Sequence, residues 1–208
     1  MMSAKSTITA LGALFLAVIA TVSAADKVAQ AASTDTAIFA GGCFWCVEQA
    51  FDQVDGVVET TSGYTGGTVA NPTYRQVSAG GTKHAEAVRV RFDPTKVTYA
   101  ALLDAFWHNV DPLDGGGQFC DRGDSYRSAI FIEGDSQKQA AEASKAAVEK
   151  QLGATVATEI VPASAFYPAE DYHQDYYRKN PARYKFYKWN CGRAQRLEQI
   201  WGPPARKP

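Results

Sequence analysis

The sequence predicts an α+β fold: a two-layer αβ sandwich with a ferredoxin-like core and a long irregular C-terminal segment. Apolar, β-prone runs alternate with segments whose apolar residues recur at helical spacing, in the order strand-helix-strand, strand-helix-strand, helix, strand. Such an order favours helices layered on one face of a mixed sheet. The composition agrees, since 208 residues with 46% hydrophobic content and a net charge of -1 describe an ordinary soluble domain able to bury one core.

Residues 1–24 stand apart. Lys5 precedes an apolar run from Ile8 to Val22, and Val22-Ser23-Ala24 offers the small residues that a signal peptidase reads. This is the pattern of a cleaved secretory signal, and Thr21 and Ser23 close the run too early for a membrane anchor of roughly 18 or more apolar residues. The expected location is periplasmic or secreted, with no stable membrane insertion after cleavage. Residues 25–34 are small, polar and alanine-rich, a linker to one folded domain over 35–203.

Within the domain, Thr36 to Ala40 is the first strand, and Val47 to Val54 carries apolar residues at helical spacing. Gly56 to Thr61 reads as a strand. Ser62 to Thr82, rich in Gly, Thr, Asn and Pro, reads as a long loop, a length usually tied to function. In the strand His84 to Phe92, Glu86 shares its parity with Val88, Val90 and Phe92, which puts a carboxylate at the start of the apolar face. Tyr99, Leu102, Leu103, Phe106 and Val110 form a helical stripe that Asp111-Pro112 ends. A glycine-rich loop from Gly115 to Gly123 leads to a strand from Tyr126 to Ile132. Asp135, Ser136 and Gln137 open a helix reaching Leu152, and Thr155 to Val161 is the last strand. From Phe166 the chain turns aromatic and basic without clear periodicity, as ordered coil wrapped on the domain.

Chemistry concentrates in Gly41-Gly42-Cys43-Phe44-Trp45-Cys46-Val47-Glu48. Cys43 sits where a strand hands over to a helix, whose unpaired N–H groups and partial positive charge favour a thiolate. Glu48, one turn on, fits a first-turn carboxylate in a structural role. Cys43-x-x-Cys46 alone suits a thioredoxin-like dithiol, so a periplasmic disulfide oxidoreductase is the rival reading. A binding module stapled by the four cysteines Cys43, Cys46, Cys120 and Cys191 is another. Against both, the aromatic pair Phe44-Trp45 beside the nucleophile suits a pocket for a small apolar group. Zinc on Cys43, Cys46, His84 and His173 lacks a second tightly spaced ligand pair. The run Arg183-Tyr184-Lys185-Phe186-Tyr187-Lys188-Trp189 interleaves basic and aromatic residues as single-strand binders do, yet packed rings and solvated charges explain it without nucleic acid.

Gly42-Cys43-Phe44-Trp45 with Glu48, Gly63-Tyr64-Thr65-Gly66-Gly67, Asn71-Pro72-Thr73-Tyr74, His84-Ala85-Glu86-Ala87-Val88, Asp121-Arg122-Gly123 with Tyr126-Arg127-Ser128, and Ala169-Glu170-Asp171-Tyr172-His173-Gln174 together resemble the methionine sulfoxide reductase A family from about Thr36 to Gly202. The resemblance implies an enzyme that reduces methionine S-sulfoxide, free or in oxidised proteins, through a cysteine sulfenic acid and an intramolecular disulfide. It implies Cys43 as nucleophile, Phe44 and Trp45 as walls for the substrate methyl, and Glu86 as the acid for the sulfoxide oxygen. Tyr74 and Tyr126 would donate hydrogen bonds to that oxygen, and Asp121 would orient the site. A sulfenic acid condenses with a second thiol; Cys46 is the first candidate, Cys191 the second, and Cys120 might pair with Cys191 instead. The electrons would come from a thioredoxin-like external dithiol, with no metal, flavin or nicotinamide.

Overall fold

A computed structural model describes residues 33–203. The expected leader over 1–24 and most of the expected linker lie outside the described residues. No helix among the described residues is long and apolar enough to cross a membrane.

Strand β1 (Asp35–Gly41) leads into α1 (Phe44–Phe51) and β2 (Val57–Thr65). A short helix α2 (Tyr74–Ser78) precedes β3 (Ala85–Phe92) and α3 (Tyr99–Trp107). A two-residue-per-strand hairpin, β4 (Gly117–Gln118) and β5 (Asp121–Arg122), and a 3-10 turn (Asp124–Tyr126) lead to β6 (Ser128–Ile132). Then come α4 (Asp135–Leu152), β7 (Glu159–Pro162), β8 (Tyr167–Pro168), α5 (Tyr176–Lys179), α6 (Pro181–Asn190) and α7 (Arg193–Trp201).

The main sheet runs β7-β6-β1-β3-β2-β8. Its central strands, β6-β1-β3-β2, pair antiparallel, and with α1 and α3 as crossovers they make the ferredoxin-like unit. β7 adds a parallel edge to β6, and β8 an antiparallel edge to β2. The larger core gathers Phe39, Phe44, Phe51, Val88, Val90, Leu102, Leu103 and Phe106, and a smaller one on alternate residues gathers Ile38, Ala40, Ala85, Ala87 and Phe131. Both faces of β1 and β3 are therefore covered near the start of β3, where Glu86 is buried, whereas Arg91 near its far end stays in solvent.

The expected last strand, β7, begins at Glu159 rather than Thr155, and two longer segments differ from the sequence expectation. The loop expected over Ser62 to Thr82 begins as strand, because Ser62, Gly63, Tyr64 and Thr65 pair with Val88, Ala87, Glu86 and Ala85. It also holds α2, started by a capping box in which Thr73 and Gln76 exchange hydrogen bonds. The coil expected from Phe166 is instead an edge strand and helices. Helix α6 buries Tyr184 fully and α7 only Arg193; in α7 the apolar residues Leu197, Ile200 and Trp201 recur at helical spacing but are only half-buried. Phe186 and Trp189, expected to pack, stand 65% and 75% exposed.

Candidate active site

The crossing from β1 to α1 sets the first thiol. Gly42 has φ 79°, a left-handed conformation, and a side chain there would strike Gln118, so only glycine fits. Cys43 follows as the N-cap of α1 with no side-chain cap of its own. Glu86 supplies one from β3: its Oε2 accepts the Phe44 N–H at 3.1 Å.

Other elements bring their groups to the same point. The capping box presents Tyr74 at the first position of α2, and the Tyr74 N–H donates to Glu170 at 2.9 Å. Tyr126 ends the 3-10 turn rather than starting a strand as the sequence suggested. Asp121 leaves the hairpin turn and accepts a hydrogen bond from the Tyr187 hydroxyl of α6. Cys43, Phe44, Trp45, Tyr74, Glu86, Asp121, Tyr126 and Tyr187 line one cavity of about 70 Å³. It has room for a group of a few heavy atoms. Larger depressions of about 300 Å³ and 590 Å³ elsewhere have no cysteine in their walls.

Seven of the expected residues thus meet in one place, and Tyr187 joins them unforeseen. Its signal was in the sequence: with Pro181 as a helix start, Tyr184, Tyr187 and Cys191 fall at spacings of three and four. Trp45 stacks on Tyr176, with ring centroids 3.7 Å apart, and its indole N–H donates to Nδ1 of buried His173 at 3.1 Å. His84 is elsewhere, one ring nitrogen accepting from the Gly67 N–H and the other 2.8 Å from the Val69 carbonyl. Glu48 is buried, and its Oε1 accepts the Asp175 N–H at 3.2 Å.

Burial sets the protonation states. Glu86 is pushed up to about 8, the Phe44 amide offsetting only part of the desolvation. Glu48 rises to about 7, also by burial. Tyr74 is raised to about 12, and burial holds Tyr126 and Tyr187 higher still, so all these hydroxyls keep their protons. The thiolate expected at Cys43 is corrected: burial pushes that thiol up, with the charges of Cys46 and Glu86 acting in the same direction. Cys46 falls to about 6, chiefly by accepting the Cys43 hydrogen bond, with Arg193, Tyr184 and Lys188 assisting. Arg193 and Lys188 thus place positive charge beside Cys46.

Cys43 and Cys46 are free and buried, whereas Cys120 and Cys191 form a disulfide. Ligand atoms of Cys120, Asp121 and Cys191 lie within 4.8 Å of one another, but the two sulfurs are bonded to each other.

A family model described as peptide methionine sulfoxide reductase matches residues 35–204. The chain is 49% identical over 190 residues to the peptide methionine sulfoxide reductase MsrA 2 of Caulobacter vibrioides, covering 91% of this chain and 96% of that protein. Among solved structures it is similar to the reduced form of Mxr1 from Saccharomyces cerevisiae, with 32% identity and a TM-score of 0.69 over 73% of this chain and 88% of that one. It is also similar to Mxr1 in complex with Trx2, with 25% identity and a TM-score of 0.51 over 70% and 86% of the two chains.

Proposed function

The chain belongs to the peptide methionine sulfoxide reductase family and reduces methionine S-sulfoxide with thiols, repairing oxidised methionine, and from that premise we propose how its residues divide the work. The observation that carries the proposal is the cavity that joins one thiol, one protonated carboxyl, three tyrosine hydroxyls and two aromatic walls.

The methyl of the substrate rests against Phe44 and Trp45, and the sulfoxide oxygen faces Glu86, Tyr74 and Tyr126. Cys43 sulfur attacks the sulfoxide sulfur. Glu86, neutral at physiological pH, passes a proton to the oxygen and is recharged from the Cys43 thiol, while the tyrosines stabilise the developing charge. One thiol and one sulfoxide become one sulfenic acid and one thioether. Asp121 orients Tyr187 beside the nucleophile.

Cys46 then attacks the Cys43 sulfenic acid, forming a disulfide and releasing water. Its low pKa and its position one helical turn from Cys43 support it as the resolving thiol, while Cys191 is already engaged by Cys120. An external dithiol reopens the bond by exchange. A thioredoxin-like reductant is supported by the complex of Mxr1 with Trx2. The chemistry closes on thiols alone. We place the enzyme in the periplasm or outside the cell, a reading supported by the leader-like residues 1–24 and by the Cys120–Cys191 disulfide, a bond typical of oxidising compartments.

Incubating the purified protein with dithiothreitol and racemic methionine sulfoxide tests the activity. Consumption of one epimer is expected; a dithiol exchanger would consume neither. N-terminal sequencing of the exported protein tests the location, with the mature chain expected to begin after Ala24.

A further inference from the structure

We infer that the Cys120–Cys191 disulfide is a clamp that aligns Asp121 with Tyr187 beside Cys43, making these cysteines positioning residues for the sulfoxide step rather than carriers of its electrons. This rests on the reading of the cavity as the sulfoxide site.

The hairpin that carries Asp121 is too short to hold its own shape. Each strand contributes two residues, and even longer isolated hairpins are marginal in water. Its turn is Phe119-Cys120, with Phe119 at φ 58°, a conformation that side chains other than glycine rarely adopt. The root is held, because the buried Gln118 amide accepts from the Asp111 N–H at 2.8 Å and donates to the Asp111 carbonyl at 2.7 Å. The tip is held from the C-terminal segment: Arg193 lies 4.3 Å over the Phe119 ring, and Cys120 is bonded to Cys191, 71 residues away in the chain.

The two ends of that bond are next to the two groups that must meet. Cys120 immediately precedes Asp121. Cys191 caps α6, and its N–H bonds to the Tyr187 carbonyl at 3.0 Å, one helical turn from the hydroxyl that donates to Asp121. Helix α6 has separate anchors, since the Tyr184 hydroxyl and the Lys188 ammonium each reach Gln49 at 2.7 Å. Opening the disulfide therefore leaves the helix docked and frees the hairpin tip. The electrons are accounted for without this bond: it is closed while Cys43 and Cys46 are both thiols, and that pair supplies the two electrons of a turnover. Cys120 is exposed, so a dithiol can reach the clamp from solvent.

The test is single-turnover reduction of methionine sulfoxide by the full chain after removal of reductant. In the variant Cys120→Ser/Cys191→Ser, the sulfoxide step should slow about ten- to a hundredfold, the scale on which a misplacement near 1 Å acts. Tyr187→Phe should slow the wild-type protein but add little in that variant, because the two changes remove one alignment. Mass mapping after one turnover of wild type should find Cys43 bonded to Cys46 and Cys120 still bonded to Cys191. A second route needs no change at the clamp. Protein carrying Cys46→Ser is prepared with Cys120–Cys191 either closed or reduced, and the closed form should react faster by the same factor. Equal rates in either comparison, an undiminished Tyr187→Phe penalty, or a Cys191 bond to Cys43 or Cys46 overturns the clamp. Wild-type protein that consumes no sulfoxide instead overturns the underlying reading of the cavity.

Discussion

Replacing Glu86 by glutamine separates its proton from its shape. Glutamine keeps an oxygen to accept the Phe44 N–H, so the start of α1 remains capped, but it has no acidic proton to give. With a pKa of about 8, the wild-type carboxyl is about 90% protonated at pH 7 and about 10% at pH 9, so the sulfoxide step should slow about tenfold between them. In Glu86→Gln that limb should vanish, with a rate about 10²–10⁴-fold lower at pH 7 and a gap that narrows toward pH 9. Stability should move the opposite way. A carboxyl raised in the folded state stabilises fully below its ordinary value of 4.5 and loses that contribution as pH rises through about 8, which at pH 7 amounts to about 3 kcal/mol. Glu86→Gln should therefore melt higher than wild type at pH 7 to 9 and lose the difference near pH 4. Single-turnover rates and melting curves across pH measure both. A surviving limb near pH 8 in the glutamine variant would refute the acid role, and a lower melting temperature at pH 8 would refute the protonated carboxyl.

Cys43→Ser should abolish sulfoxide reduction, whereas Cys46→Ser should complete one turnover and then recycle poorly with dithiols, as counted by methionine released per protein with and without reductant. Trp45→Phe keeps an aromatic face against Tyr176 but leaves buried His173 Nδ1 without its donor, which should lower stability by about 1–3 kcal/mol in denaturation curves, while the smaller wall for the methyl should raise KM with kcat little changed. Glu48→Gln should leave activity near wild type and raise melting above pH 7 by up to about 3 kcal/mol, because burial holds Glu48 up at about 7 and its stabilisation is lost as pH rises through that value. An equal gain at pH 4 and pH 8 would show that charge is not its cause.

The core strands and α1, α3 and α4 were legible because each shows its pattern: alternation on β3, helical stripes on α3, an alanine-rich run at α4, although the cap expected there from Asp135 and Ser136 is absent and Gly134 takes the N-cap. The C-terminal helices were not, because they bury single polar-tipped residues against the rest of the domain. Tyr184 reaches Gln49 and Arg193 reaches the Asn109 carbonyl, contacts made by polar tips that a count of apolar residues passes over. Tyr187 was missed although Tyr184, Tyr187 and Cys191 fall at helical spacing, because the exposed aromatics Phe186 and Trp189 between them blur the buried face. Ser62 to Thr65 looked like loop because its polar residues are buried between β3 and β8, where the Thr65 hydroxyl bonds the Ala165 carbonyl at 3.1 Å. Protonation was the least legible. The helix start argued for a thiolate at Cys43, but enclosure by the tail, which the local sequence does not encode, outweighs the helix field.

That enclosure links the acid to the nucleophile. Burial at one cavity raises both Glu86 and Cys43, so the same desolvation that keeps the carboxyl protonated holds back the thiolate. A shallower site would favour the nucleophile and discharge the acid. The dithiol relieves this conflict by keeping its negative charge on Cys46, under Arg193 and Lys188, with the Cys43 proton shared across the pair. In the proposed mechanism, bound sulfoxide changes the balance at one point, since the proton that Glu86 gives to the departing oxygen leaves a carboxylate able to take the proton of Cys43. Acid and thiol can therefore act in one step without either being charged beforehand. The wild-type sulfoxide step should accordingly lack the rising limb that a free Cys43 thiolate would impose between pH 7 and 9; a rate that climbs through that range would place the nucleophile's ionisation before substrate binds.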